Sequence, residues 1–307
     1  MGKVLVFGSL NMDLNIQCER LPEKGETIAG NHFFTTPGGK GANQAVAAAK
    51  LGASTRLIGC IGNDVFGAEL IDALTQYEVI CDSVIESKNL PTGTAMIINC
   101  NDDNRIILNP GANHELTEED IVKLITQYGT SEDVFVTQYE CDLKAVQQSL
   151  VTAKSVGMYT IFNPAPANAI PSELYALIDL IVVNETECQF LTGIYPDSEE
   201  NCKKAINRFR KFGARQIVIT LGSRGSVYTM EDEIYSIPAC NVPTVDTTAA
   251  GDTLIGGMAV GISRKWPMKE CLIYATKAAA LTVIKPGAQQ SIPKEEEVNQ
   301  YFKESEE

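Results

Sequence analysis

The chain has 307 residues, 44% of them hydrophobic, with a formal net charge of −14, 9 cysteines and 2 histidines. That length suits one large α/β domain or two small ones, and the apolar fraction supports a sizeable core rather than disorder. The acidic balance argues against nucleic acid as the main partner, since a phosphate backbone demands a basic surface.

Acidity does not exclude a nucleotide, which backbone N–H groups and one or two cations can hold locally. Much of the negative charge stands in solvated places such as Glu295-Glu296-Glu297 and Glu304-Ser305-Glu306-Glu307. The cysteines are odd in number and none stands as Cys-x-x-Cys, so buried reduced thiols are expected rather than disulfides or a zinc knuckle. His32 and His114 are too few for a histidine-rich metal site, and no Gly-x-Ser-x-Gly is present to partner either in a hydrolase triad.

The first predicted strand is Lys3–Phe7. It is too short for a signal-peptide core, and no later apolar run approaches a membrane span, so a cytoplasmic protein without membrane association is expected. Gly8-Ser9-Leu10-Asn11-Met12-Asp13 follows it, and a Rossmann dehydrogenase would need Gly-x-Gly-x-x-Gly there. Further strands are predicted at Arg56–Gly59, Val134–Thr137, Tyr159–Phe162, Leu180–Val183 and Gln216–Thr220. Helical segments alternate with them: Ala42–Lys50, Glu69–Gln76, Leu143–Ser155 and Asn201–Lys211. This alternation predicts βαβ units and a parallel sheet covered on both faces. Asn15–Thr36 and Gly93–Leu108 read as strands without helices, the second followed by a turn at Asn101-Asp102-Asp103-Asn104. They predict a small antiparallel sheet at one edge, either a lid or plain edge hairpins.

Several strands end in polar residues: Asn11 and Asp13, Gln138 and Glu140, Asn163, and Asn184, Glu185 and Glu187. In open parallel sheets ligands bind beyond these carboxyl ends. The loop Pro37-Gly38-Gly39-Lys40-Gly41-Ala42-Asn43-Gln44 precedes an Ala-rich helix stopped by Gly52. Gly41 after Lys40 excludes a P-loop. Glycines before a helix are ordinary, but Lys40 and Asn43 beside them favour a polyol-binding loop.

In Val245-Asp246-Thr247-Thr248-Ala249-Ala250-Gly251-Asp252-Thr253, small residues occupy a helix start, so the first N–H groups are open to an anion. Phosphoryl transfer needs such preorganised donors, and Asp252 in the same turn can reach a hydroxyl aimed at the phosphate. The competing reading, helix-end stabilisation by Asp252, leaves those donors unused. A free Asp titrates near ~3.9, so a base here needs no special activation. Asn184-Glu185-Thr186-Glu187 is either an acidic helix start or an oxygen ligand set near Mg²⁺. Thr220-Leu221-Gly222-Ser223-Arg224-Gly225 is a glycine turn after a strand, where Ser223 and Arg224 could meet a nucleotide.

Together with Asn109-Pro110-Gly111-Ala112-Asn113 and Asn163-Pro164-Ala165-Pro166-Ala167, these motifs resemble the ribokinases in order and spacing over essentially the whole chain. Single motifs are shared across the phosphofructokinase-B-type family; the full set is more specific to ribokinases and deoxyribokinases. The resemblance implies one ribokinase-like α/β domain over 1–307, a three-layer αβα fold with a mostly parallel central sheet and a lid from about 13–36 and 93–108. It implies sugar binding by Asn11, Met12, Asp13, Gly39, Lys40, Gly41, Ala42, Asn43 and Glu140, with Asp252 as base and the N–H groups of Ala249, Ala250 and Gly251 as anion hole. ATP would meet Asn184, Thr220, Leu221, Gly222, Ser223, Arg224, Gly225, Gly251, Asp252 and Thr276. Glu187 would support Mg²⁺ through water, and Asp246, Thr248, Thr282, Lys285, Gly287 and Ser291 would hold K⁺, mostly by carbonyls. A homodimer through the lid sheet is also implied.

The expected reaction is therefore phosphorylation of ribose at O5 by ATP. Its nearest rivals are a deoxyribokinase or another sugar or nucleoside kinase; outside the enzymes, a sugar or nucleotide sensor on the same fold, against which the retained Asp252 counts.

Overall fold

The computed structural model describes residues 2–100, 103–231 and 233–304. Asn101 and Asp102 of the expected turn, and Ser305-Glu306-Glu307 of the acidic tail, lie outside them.

Strand β1 (Val4–Phe7) leads into β2 (Asn11–Cys18), which returns as β3 (Asn31–Gly38). Helix α1 (Lys40–Lys50) follows, and Gly52, at φ 94°, closes its end. Next come β4 (Thr55–Gly62), α2 (Val65–Gln76) capped by Asp64, β5 (Val84–Ser87), and the hairpin β6 (Gly93–Cys100) and β7 (Asp103–Asn109). The chain continues through α3 (Glu118–Tyr128), β8 (Val134–Gln138), α4 (Leu143–Val156), β9 (Tyr159–Asn163) and β10 (Leu180–Val183). Helices α5 (Glu185–Thr192) and α6 (Glu199–Phe212) precede β11 (Gln216–Thr220) and the hairpin β12 (Ser226–Met230) and β13 (Glu233–Ile237). Helices α7 (Ala250–Ser263), α8 (Met268–Val283) and α9 (Glu295–Glu304) complete the described chain.

The main sheet has nine strands in the order β13-β12-β11-β10-β9-β8-β1-β4-β5. It is parallel from β11 to β5 and antiparallel at the β12–β13 edge. Both faces of β1 are buried: Val4 and Val6 join one apolar core with α1, α2, α7 and α8, and Leu5 and Phe7 join another with α3, α4 and α6. These are the two outer layers of the expected three-layer fold. Chain order reverses at β1, flanked by β4 and β8, and this reversal opens a crevice at the strands' carboxyl ends.

The smaller sheet has the order β3-β2-β6-β7. It was expected to be antiparallel, but its central pair, β2 with β6, is parallel over Asn11–Cys18 and Gly93–Cys100. The reason is directional: both strands leave the same carboxyl-terminal edge of the main sheet, after β1 and β5. Among the described residues no helix is long and apolar enough to cross a membrane.

Candidate active site

Helix α7 begins with Ala249 as N-cap in the left-handed region (φ 60°, ψ 5°), without a side-chain cap. Ala250 N–H, expected to be open, donates to Thr247 O at 3.2 Å because the turn closes tightly there. Among the described residues the N–H groups of Ala249, Gly251 and Asp252 have no partner. A Cβ on Gly251 would meet nothing within 4 Å, so that edge of the turn faces open space. Asp252 is 8% exposed. Its carboxylate accepts from Gln44 Nε2 at 2.9 Å and from Asn43 Nδ2 at 3.1 Å.

The loop before α1 lies opposite. Gly39 has φ 90°, and a Cβ there would come within 2.8 Å of Asn11 N and 2.9 Å of Ser9 O, so only glycine lets the two loops meet. Glu140 accepts from Ser9 Oγ at 2.6 Å and Lys40 N at 3.1 Å. Asn11 Oδ1 accepts from Asn113 Nδ2 at 2.8 Å, and Asn113 also brackets Leu10. Ser9 and Asn113 had no role in the sequence reading. Met12 and Ala42 are both fully buried in apolar core, with Ala42 N–H donating to Ser9 O and Gly41 N–H to Ser9 Oγ. They place their neighbours and offer no side chain to a ligand.

Charge is concentrated in this region. Burial, then the nearby Glu140 and Asp252, push the Asp13 carboxyl up to about 7. Burial opposes the Lys40 ammonium, but Asp252, Glu140 and Glu187 outweigh it and hold its pKa above the ordinary lysine value.

Two cavities meet at the α7 turn. The smaller, about 230 Å³, is lined by Lys40, Asn163, Asn184, Glu187, Gly251 and Asp252 among others. The larger, about 570 Å³, is lined by Gly222, Ser223, Gly225, Gly251, Leu254 and Thr276 among others. Thr220, Thr247 and Gly251 belong to both. Two residues of the Thr220–Gly225 turn depart from expectation. Leu221 is buried in the core. Arg224 turns away from the cavity to Glu185 Oε1 (2.6 Å), Pro196 O (2.8 Å) and Asp197 O (2.9 Å), where a carboxylate and two carbonyls converge.

This arrangement, an open anion turn carrying a carboxylate between two cavities, has relatives. The pfkB family carbohydrate kinase pattern matches residues 1–295. The chain belongs to that family. It is 37% identical over 302 residues to the ribokinase of Staphylococcus aureus, covering 97% of this chain and 99% of that one. The ribokinase of Schizosaccharomyces pombe is 38% identical over 313 residues, with 98% of each covered. The structure of Arabidopsis thaliana ribokinase complexed with ribose and ATP superposes with a TM-score of 0.91 at 33% identity, covering 98% of both chains.

In this carbohydrate kinase the candidate metal positions behave differently from one another. Asn184 caps α5, and Glu187 completes a capping box, accepting from Asn184 N (2.9 Å) and Nδ2 (3.0 Å). The capping reading of that motif is thus realised, yet Glu187 still lines the smaller cavity, and burial raises its pKa. Asp246 accepts from Thr248 N, Thr248 Oγ1 and Gly287 N, tying its loop to the one after α8. Ser291 and Thr282 are fully buried, with hydroxyls bonded to Ala288 O and to Thr253 Oγ1 and Ala278 O. The carbonyls of Asp246, Thr248, Lys285 and Gly287 accept no hydrogen bond among the described residues. Their acceptor capacity is open, and among the described residues no group of three or more His, Cys, Asp or Glu could hold a metal ion.

Proposed function

We propose that the chain transfers the γ-phosphoryl group of ATP to the O5 hydroxyl of ribose, with Asp252 as the base. One observation carries this reading: a carboxylate and unpaired N–H groups share the first turn of α7 where the two cavities join. ATP would fill the larger cavity, its base toward Thr276 and its phosphates running past Gly222, Ser223 and Gly225 to Gly251. Ribose would lie against Asn11, Asp13, Gly39, Lys40, Asn43 and Glu140, with O5 beside Asp252. As the O5–P bond forms and the bond to ADP breaks, Asp252 takes the O5 proton and ADP leaves with the electron pair. The N–H groups of Ala249 and Gly251 and the Lys40 ammonium meet the charge on the transferring oxygens.

Ribose is preferred because ribokinases stand at 37 and 38% identity and a neighbour of TM-score 0.91 holds ribose and ATP. Glu187, with Asn184, would hold hydrated Mg²⁺, which would neutralise phosphate charge. The carbonyls of Asp246, Thr248, Lys285 and Gly287 would hold K⁺, whose charge would reinforce the anion turn. The small sheet would act as a lid and as a homodimer interface. Phe34, Ile106 and Leu108 stand exposed on one of its faces and Phe33, Met96 and Ile107 on the other, apolar surface that asks for cover. Among the described residues no cysteine is joined in a disulfide, which suits the cytoplasm.

The test is release of ADP across ribose, deoxyribose, fructose and nucleosides, with and without K⁺. Highest kcat/KM for ribose, stimulated by K⁺, is expected. Preference for another acceptor overturns the substrate, and ATP hydrolysis without transfer to any of them overturns the kinase reading.

A further inference from the structure

Asp252 sits at the end of two converging chains of buried amides. Gln138 Nε2 donates to Gln44 Oε1 at 2.7 Å, and Gln44 Nε2 donates to Asp252 Oδ1 at 2.9 Å. On the other side Gln289 Nε2 donates to Asn43 Oδ1 at 3.2 Å, and Asn43 Nδ2 donates to Asp252 Oδ2 at 3.1 Å. Gln44, Gln138 and Gln289 are each 1% exposed.

The polarity of both chains follows from chemistry. An ionised carboxylate only accepts, so the amide touching it must present its NH₂ group, and its carbonyl must then find a donor behind it. Gln138 and Gln289 supply that donor. Each leaves its own carbonyl oxygen buried without a partner. A buried unpaired carbonyl is costly, and such exceptions call for an explanation; aiming the NH₂ inward is one. The outer residues are themselves fixed. A Cβ on Gly8 would lie 2.1 Å from Gln138 Oε1, so the β1 end has glycine where this glutamine packs, and Lys50 Nζ holds Gln289 O at 3.2 Å. Neither outer glutamine lines either of the two cavities at the α7 turn.

We infer that Gln138 acting through Gln44, and Gln289 acting through Asn43, are positioning residues that lock the carboxylate of Asp252 toward the acceptor hydroxyl. The inference rests on Asp252 being the base. Without Gln138 the Gln44 Oε1 loses its donor, and Nε2 is left with Asp252 Oδ1 and a long 3.5 Å contact to Asn163 Oδ1, a weaker hold on the orientation of the amide.

Gln138→Leu and Gln138→Glu separate this from a packing role, read as the ratio of variant to parent kcat from pH 6 to pH 9. Asp13, Lys40 and Glu187 act on Asp252 in parent and variants alike, so the ratio is read against the same set of neighbours. Gln138→Leu lowers kcat roughly ten- to a hundred-fold at every pH, with both KM values kept within about threefold. Gln138→Glu stays near the parent while its new carboxyl is neutral and still donates to Gln44. It falls as pH rises, because the ionised form only accepts. Thermal melting at each pH establishes that the variants are folded, and Gln289→Leu, expected to lower kcat by a similar factor, repeats the test if either Gln138 variant does not fold. Parent-like kcat in a folded Gln138→Leu or Gln289→Leu overturns the inference, as does a Gln138→Glu ratio that rises with pH. Asp252→Asn is the reference: if it keeps turnover the base reading itself fails, and if it is inactive while the glutamine variants are not, only the positioning role falls.

Discussion

The carboxyl of Asp13 faces Glu140 and Asp252, and among the described residues no donor or cation is bonded to it, so replacing it with Asn has a calculable effect on stability. Its pKa rises from 3.8 to about 7, close to three units (7 − 3.8 ≈ 3). That rise corresponds to at most about 4 kcal/mol, at 1.36 kcal/mol per unit. Asp13 is half-buried and part of the rise belongs to Glu140 and Asp252, which relax in its absence, so about 1–3 kcal/mol is the expected gain. The folded protein keeps this proton where the unfolded chain has lost it. The parent therefore loses stability as pH rises from about 4 to about 7, and levels off above. Melting of the ligand-free parent and Asp13→Asn from pH 4 to pH 8.5 should give a Tm difference that grows across that window to about 2–6 °C in favour of the variant. Sugar KM should rise by roughly 10² in the same variant, since the ionised oxygens accept from sugar hydroxyls. A pH-independent difference, or a less stable variant at pH 8, would refute the reasoning.

Three further outcomes follow from the geometry. Gly251→Val places methyl groups in open space at the cavity junction, so Tm should hold within about 2 °C while kcat/KM for ATP falls roughly 10²-fold, read by melting and steady-state kinetics. Arg224→Ala should leave KM for ATP within about threefold and lower stability by about 1 kcal/mol in denaturant unfolding, because the guanidinium serves Glu185 and two carbonyls rather than a nucleotide. Under the proposed lid dimer, Ile107→Asp should lower the sedimentation coefficient from that of a dimer to that of a monomer, and an unchanged coefficient would overturn that proposal.

How much of this was legible in the sequence depended on how each residue earns its place. The six core strands could be read because a strand covered on both faces is a continuous apolar run, as Leu180–Val183 illustrates. The edge hairpin β12–β13 was not read, since Glu233–Ile237 is mostly exposed and its apolar residues form no continuous run. Only the start of helix α7 was read; its body hid for a different reason. Gly256, Gly257 and Gly261 are poor helix formers, yet a Cβ at each would meet Ala47 at 2.5 Å, Ala275 at 2.9 Å and Cys271 at 2.7 Å. They are chosen for close packing against α1 and α8, which no local pattern records. Within the site, Asp252 and its turn announced themselves by a missing cap. Arg224 was misread because charge beside a glycine turn says nothing of where the side chain points. Gln289 stood 246 positions from Asn43, and only the fold joins them.

Asp252→Asn bears on the central claim most directly. The amide keeps the size of the side chain but cannot take a proton, so single-turnover phosphoryl transfer to ribose should slow by roughly 10²–10⁴ while calorimetric ATP affinity stays within about threefold. Transfer at a rate near the parent's, with ATP bound normally, would contradict it.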